Sequence, residues 1–343
     1  MNADSAGLRR GWAWVAHLRA GGTTPWHEFT GDAASQGPWL PGAIQLELAR
    51  RVNLAGDPQP DVVERVLAAS APGRGLPDLE LIGADNGSAF GPRPVDPAQV
   101  PLKELIRLGT GVLAEELAQR DPAPVSTRRR RRARHHVEGD PLLVHRAVGG
   151  LREPRSEGGR LTVVGTSLET MLYDVWAMRS LTGAVPAWGR WVRRFAETNR
   201  LPVGIDLPTL ARRWSRQFGR EHVVISVEEP TSSPAPEAVE AVRHVVTALR
   251  VLVPADQMHR LREGLLNPWA LAQPGEALGV RAIQRPWLER NAGLMADRIV
   301  AAGYPVHGDL GILTAFSASN AAPRPQLVLQ SVVTLLREGW DQR

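Results

Sequence analysis

The chain has 343 residues, long enough for two compact domains or one large one, and its 43% hydrophobic and 22% charged residues are globular, not disordered, in composition. All but one of its 41 Lys and Arg residues are arginine, and a net charge of +5 is too small for this length to imply a polyanionic partner by itself. There is no cysteine, which excludes disulfides, thiolate catalysis and Cys-ligated zinc.

The N-terminus, MNADSAGLRRGWAW, lacks an apolar run ahead of a small-residue cleavage site, so no secretory signal is expected. Nowhere does the chain approach the roughly 20 apolar residues of a membrane span, so no membrane partner is expected and the cytoplasm is the default location. Residues 11–20 read as an Ala-rich helix stopped by Gly21-Gly22. Thr24 then reads as an N-cap, with Pro25 opening a short helix through Trp26 and Phe29. Helices follow at about 42–53 and 61–69. From 70 to 101 glycines and prolines break the pattern around one short apolar run, Leu79 to Ile82. A helix at about 102–119 closes this mainly helical N-terminal region, residues 1–120. Residues 121–134, ending in an arginine run, read as a linker.

The rest, 135–343, alternates strand and helix. Strands are expected at 135–138, 161–164 and 222–227. Helices are expected at 141–148, from Ser167 to about 181, and at 188–197, 207–218, 236–249, 286–302 and 327–338. Such alternation predicts an α/β fold, a parallel sheet flanked by helices.

A Walker A phosphate-binding loop needs Gly-x-x-x-x-Gly-Lys-Ser/Thr, in which backbone N–H groups cradle the phosphate and lysine neutralises it. The only lysine, Lys103, starts a helix in Val-Pro-Leu-Lys-Glu-Leu, which excludes an ordinary lysine-dependent phosphate- or sulfate-transfer enzyme. Gly21, Gly22, Thr23 and Thr24 have the glycines and hydroxyls of an anion site, but they follow helical spacing, and a helix stop plus an N-cap explains them better. Gly165, Thr166 and Ser167 are the better anion candidates. A strand running through glycine into a helix start leaves backbone N–H groups and the helix dipole facing a ligand. The same residues also suit a plain N-cap.

The run Arg128 to Arg132 could contact nucleic acid or an acidic protein, or be a solvated linker; no aromatic residues interleave with it for base stacking. No H-x-x-x-H or H-E-x-x-H spacing occurs, and no metal is expected. His307, with Asp309 two residues on, and Glu228 at a strand end are the candidate bases. Of the eleven tryptophans, Trp12, Trp14, Trp26 and Trp39 could line a pocket or partner surface, or simply pack in a core.

Three segments resemble the actinobacterial sulfotransferase-like proteins. They are Thr162-Val-Val-Gly-Thr-Ser-Leu-Glu-Thr-Met-Leu-Tyr-Asp-Val-Trp176, Asp206-Leu-Pro-Thr-Leu-Ala-Arg-Arg-Trp214 with Phe218-Gly-Arg-Glu-His-Val-Val-Ile225, and Ala301-Ala-Gly-Tyr-Pro-Val-His-Gly-Asp-Leu310. They span about half the chain. The resemblance implies a P-loop-like fold and an ancestor using the sulfonate donor PAPS, with its product PAP as a second ligand. The family's Lys-Thr-Gly-Thr-Thr loop has its nearest counterpart in Arg19-Ala-Gly-Gly-Thr-Thr24, without the lysine. Thr166 stands where relatives hold the donor's 3′-phosphate with arginine, and Thr170 where they carry a second donor contact. An active enzyme would then need arginine in place of lysine, with Arg19 the first candidate. The alternative is a non-catalytic interaction or scaffolding protein using its tryptophan-rich N-terminus and arginine run.

Overall fold

The computed structural model describes residues 3–31, 40–57, 60–70, 79–84, 93–120, 136–150, 161–183, 185–230, 232–316 and 322–340. Up to residue 120 the elements are α1 (Ala3–Arg19), α2 (Ala43–Leu54), α3 (Pro60–Ala68), the short strands β1 (Glu80–Leu81) and β2 (Pro94–Val95), and α4 (Leu102–Ala118). There follow β3 (His136–Gly139), α5 (Pro141–Gly150), β4 (Leu161–Gly165), α6 (Leu168–Thr182), α7 (Trp188–Thr198), α8 (Leu207–Phe218) and β5 (Val223–Val227). The last part comprises β6 (Ser233–Pro234), α9 (Pro236–Leu249), α10 (Ala255–Leu261), α11 (Asn267–Leu271), β7 (Pro274–Gly275), α12 (Arg285–Ala302), β8 (Val306–His307) and α13 (Pro325–Glu338). Among the described residues no helix is long and apolar enough to cross a membrane.

The chain forms two compact units. The first joins residues 1–122 to 244–261 and 324–343. It is helical apart from β1 and β2, whose parallel pairing falls in the Gly/Pro-rich stretch expected to be irregular. Its core holds Trp14, Leu18, Ile44, Leu48, Leu105 and Leu113, all fully buried. Trp12 and Trp26 are buried as well, so three of the four N-terminal tryptophans pack as core; Trp39 lies outside the described residues. The indole N–H of Trp14 reaches the Thr24 carbonyl at 2.9 Å and that of Trp26 the Ile82 carbonyl at 3.0 Å, as buried tryptophans require.

The second unit, residues 123–243 and 262–323, contains a four-stranded sheet in the order β3-β4-β5-β8, parallel throughout. The α/β expectation is therefore met. Strands in chain order have no reversal of the kind that marks the ligand crevice of a doubly wound sheet. The strands β4 and β5 are apolar because both faces are covered: Leu161, Val163, Val223 and Ile225 are buried with Leu172, Trp176, Leu210 and Leu288 from the helices. Trp176, Trp188 and Trp191 belong to this core. β8 was not legible in the sequence, since two paired residues carry no periodicity.

Candidate functional site

Parallel strands bring their carboxyl ends to one edge, and the sequence candidates Gly165, Thr166, Ser167, Glu228 and His307 lie along it. Two glycines shape this edge. At Gly139 φ is +126°, and a Cβ there would stand 1.9 Å from the Val164 carbonyl oxygen. At Gly308 φ is +90°, and a Cβ would stand 1.9 Å from the Val227 oxygen. Gly165 is glycine for another reason: a Cβ would meet Leu207 at 2.5 Å and the Met171 sulfur at 3.1 Å. Its smallness serves the packing of α8 and α6 on the strand.

Of the two hydroxyls, Ser167 is the N-cap of α6. Its Oγ accepts the Thr170 N–H at 3.2 Å and donates to Thr170 Oγ1 at 2.8 Å. Thr166 is buried, and its Oγ1 has no hydrogen-bond partner. The first turn of α6 opens on a cleft of about 640 Å³. Ser167, Glu169, Thr170, Ser232, Ser233 and Phe316 line it, with Pro230 and Pro274 in its walls. Glu169 is buried. One oxygen accepts the Val280 N–H at 2.8 Å, and the Arg285 guanidinium stands 3.6 Å from it and 5.5 Å above the Phe316 ring. Arg146 donates to the Ser232 carbonyl.

Behind the Ser233 wall lies a group the sequence reading missed. Asp140 is fully buried and caps α5, accepting the N–H groups of Leu142 and Leu143 at 2.9 Å each. Asp174, on α6, accepts the Ser233 hydroxyl at 2.8 Å. Burial pushes the Asp140 carboxyl up to about 6 against the help of its backbone donors. Burial, and then the charge of Asp140, push Asp174 well above the usual carboxylate range. Burial also raises the Tyr173 hydroxyl, which donates to the Pro234 carbonyl at 2.6 Å. The signal in the sequence was an aspartate inside the apolar run Met-Leu-Tyr-Asp-Val-Trp, where a charge has no ordinary reason to be.

The remaining candidates stand elsewhere. Residues Gly21 and Gly22 stop α1: Gly21 has φ +82° and donates to the Leu18 carbonyl, and Gly22 donates to that of His17 at 2.8 Å. Thr24 bonds His17 Nε2 at 3.1 Å through its hydroxyl, and Pro25, not Thr24, holds the N-cap position of the short 3-10 turn Trp26–Glu28. The Thr23 carbonyl takes the Arg50 guanidinium. This segment is a helix stop. Arg19 pairs with Glu64 through two hydrogen bonds, at 2.6 and 3.1 Å, and Lys103 is exposed beside Glu104 at 4.0 Å. All of these belong to the first unit, and none to the unit holding Gly165 to Ser167.

On the sheet edge, Glu228 is exposed and its N–H donates to the Gly165 carbonyl at 2.8 Å, extending the β4–β5 ladder. His307 is exposed, and the Asp309 carboxylate is engaged by the Gly311 N–H at 2.8 Å. Arg128 to Arg132 lie outside the described residues. Among the described residues no group of three or more His, Cys, Asp or Glu is placed to hold a metal.

Compared with protein-family models, curated proteins and solved structures, the chain shows no match. The PAPS donor implied by the sequence resemblance can be tested on the residues alone. Sulfuryl transfer needs cations at the bridging and leaving oxygens. Among the described lining residues of the cleft there is no Lys or Arg, and the first turn of α6 carries Glu169 where the dipole would favour an anion. The residues do not fit PAPS as a reacting donor.

Proposed function

We propose that this protein is a divergent, P-loop-like sulfotransferase relative that binds a nucleotide-sized ligand beside Gly165 to Ser167 and does not transfer a sulfuryl group. One observation carries the reading: the turn from β4 into α6 opens on a cleft of about 640 Å³, within the usual range for small-molecule sites. Thr170 and Ser232 offer hydroxyls to a sugar or base edge, and Phe316 offers a flat apolar face. The nearest cations are set back from the lining. Arg285 stands above Phe316 and beside Glu169. A single anionic group can reach it, whereas a phosphosulfate would bring further negative charge against Glu169 and Glu276 of the lining.

Thermal-shift titration with PAP, PAPS and adenosine tests this. Saturable stabilisation by adenosine or PAP, weakened about tenfold by Arg285→Ala and unchanged by Arg19→Ala, is the expected result. No stabilisation by any of the three at millimolar concentration overturns the binding, and sulfate transfer from PAPS to any acceptor overturns the loss of activity.

A further inference from the structure

The acid pair behind the cleft is not used by a ligand that touches only the wall. Asp140 Oδ2 is buried and meets no N–H or O–H donor, and the Asp140 and Asp174 carboxyls are immediate side-chain neighbours. Two carboxylates only accept hydrogen bonds, so this contact is satisfied when one proton is shared between them. Asp174 in turn accepts the Ser233 hydroxyl, and Ser233 belongs to β6, which pairs antiparallel with β7 at Ser233–Gly275 and Pro234–Pro274. The Ala235 N–H closes the same rim on the Gln273 carbonyl at 2.7 Å.

Few charges compensate the pair. From α5 comes Arg146, exposed and bonded to the Ser232 carbonyl. From α6 comes Tyr173, whose proton goes to the Pro234 carbonyl. From α9, Glu237 and Glu240 face Tyr173, and Glu240 is already paired with Arg243 at 2.6 Å. From the π-helical turn Arg262–Leu266, packed on α6, come Arg262 and Glu263, and from α12 Arg285, held by Glu169.

We infer that Asp140 and Asp174 form a one-proton latch that fixes the Ser233–Pro234 strand in the cleft wall, closed while the proton is shared and loosened when it leaves. The proton goes to solvent and no other bond changes. What remains is two negative charges in a buried site, with Arg146 the arginine whose charge acts on both, and hydration of Asp174 relieves them at the expense of its bond to Ser233. The elevated titration of both carboxyls puts this loss above about pH 6. The latch concerns the wall itself, so it stands or falls separately from the ligand proposed above.

Hydrogen exchange on the full chain reads it directly. After correction for intrinsic rates, protection of the Ala235 amide is expected to fall about tenfold between about pH 5 and about pH 8. In Asp174→Asn the amide donates permanently to Asp140 Oδ2 and still accepts from Ser233, so protection is expected to stay high at both. Asp140→Asn, which keeps the helix cap through its oxygen, gives the same reading if the first variant does not fold. Ser233→Ala is expected to lose protection at both. Equal wild-type protection at the two pH values, or an unchanged fall in either Asn variant, overturns the latch.

Discussion

The Ser233 hydroxyl stands 2.8 Å from Asp174 Oδ1, and each residue is only 2% exposed. This contact joins the middle of α6 to a two-residue strand 59 positions later, so a short edge of the cleft takes its position from a side chain in the core. Polar groups this deep must be partnered, and here the partners are one another.

Stability is expected to fall as pH rises. Both aspartates titrate above their ordinary 3.8 in the folded chain, Asp140 at about 6. For a raised carboxyl the stabilisation is complete below the unfolded value and is lost as pH climbs through the folded one. Asp174→Asn should therefore flatten the pH profile and leave the protein more stable than the wild type at about pH 8. Urea unfolding at a series of pH values checks this; a mutant profile parallel to that of the wild type would refute it.

Gly139→Ala and Gly308→Ala should each cost about 3 kcal/mol or more, because a positive φ and a carbonyl oxygen 1.9 Å from the new carbon act together. Gly111, whose Cβ would meet nothing within 4 Å, is the control and should tolerate alanine. Denaturation midpoints of the three variants decide the matter.

Trp14→Ala is expected to destabilise the first unit by about 3–5 kcal/mol, the range for removing a buried tryptophan. Trp14→Phe should lose less, chiefly the hydrogen bond to the Thr24 carbonyl. A partner-surface role would predict little change in unfolding, so chemical denaturation of both variants separates core from interface.

Ser167→Ala removes the N-cap of α6 and should cost about 1 kcal/mol. Ser167→Asp keeps a capping oxygen and should recover most of that stability, while adding a negative charge to the cleft. If the ligand is anionic, Ser167→Asp will bind it less tightly than Ser167→Ala despite being the more stable protein. Paired unfolding and thermal-shift titrations measure both quantities.

Local signals were legible where one residue does one local job. Asp140 as the cap of α5, Gly21 as the stop of α1, the bounds of α8 and α9, and the strand at 223–227 all follow from caps, glycine and apolar spacing within a few residues. The parallel sheet followed too, since alternating strands and helices leave few other arrangements. What the sequence left open depended on distance along the chain. Whether Gly21 to Thr24 was a helix stop or an anion loop turned on the partners that its backbone and side chains meet. Arg285 beside Glu169, and Ser233 beside Asp174, are meetings across 116 and 59 residues that no spacing rule encodes. Lys103 shows the division most simply. Its solitude already excluded a lysine-dependent transferase, because charge type is written in the sequence. Which groups stand at the cleft instead was decided by folding, because burial and proximity exist only once the helices pack on the sheet.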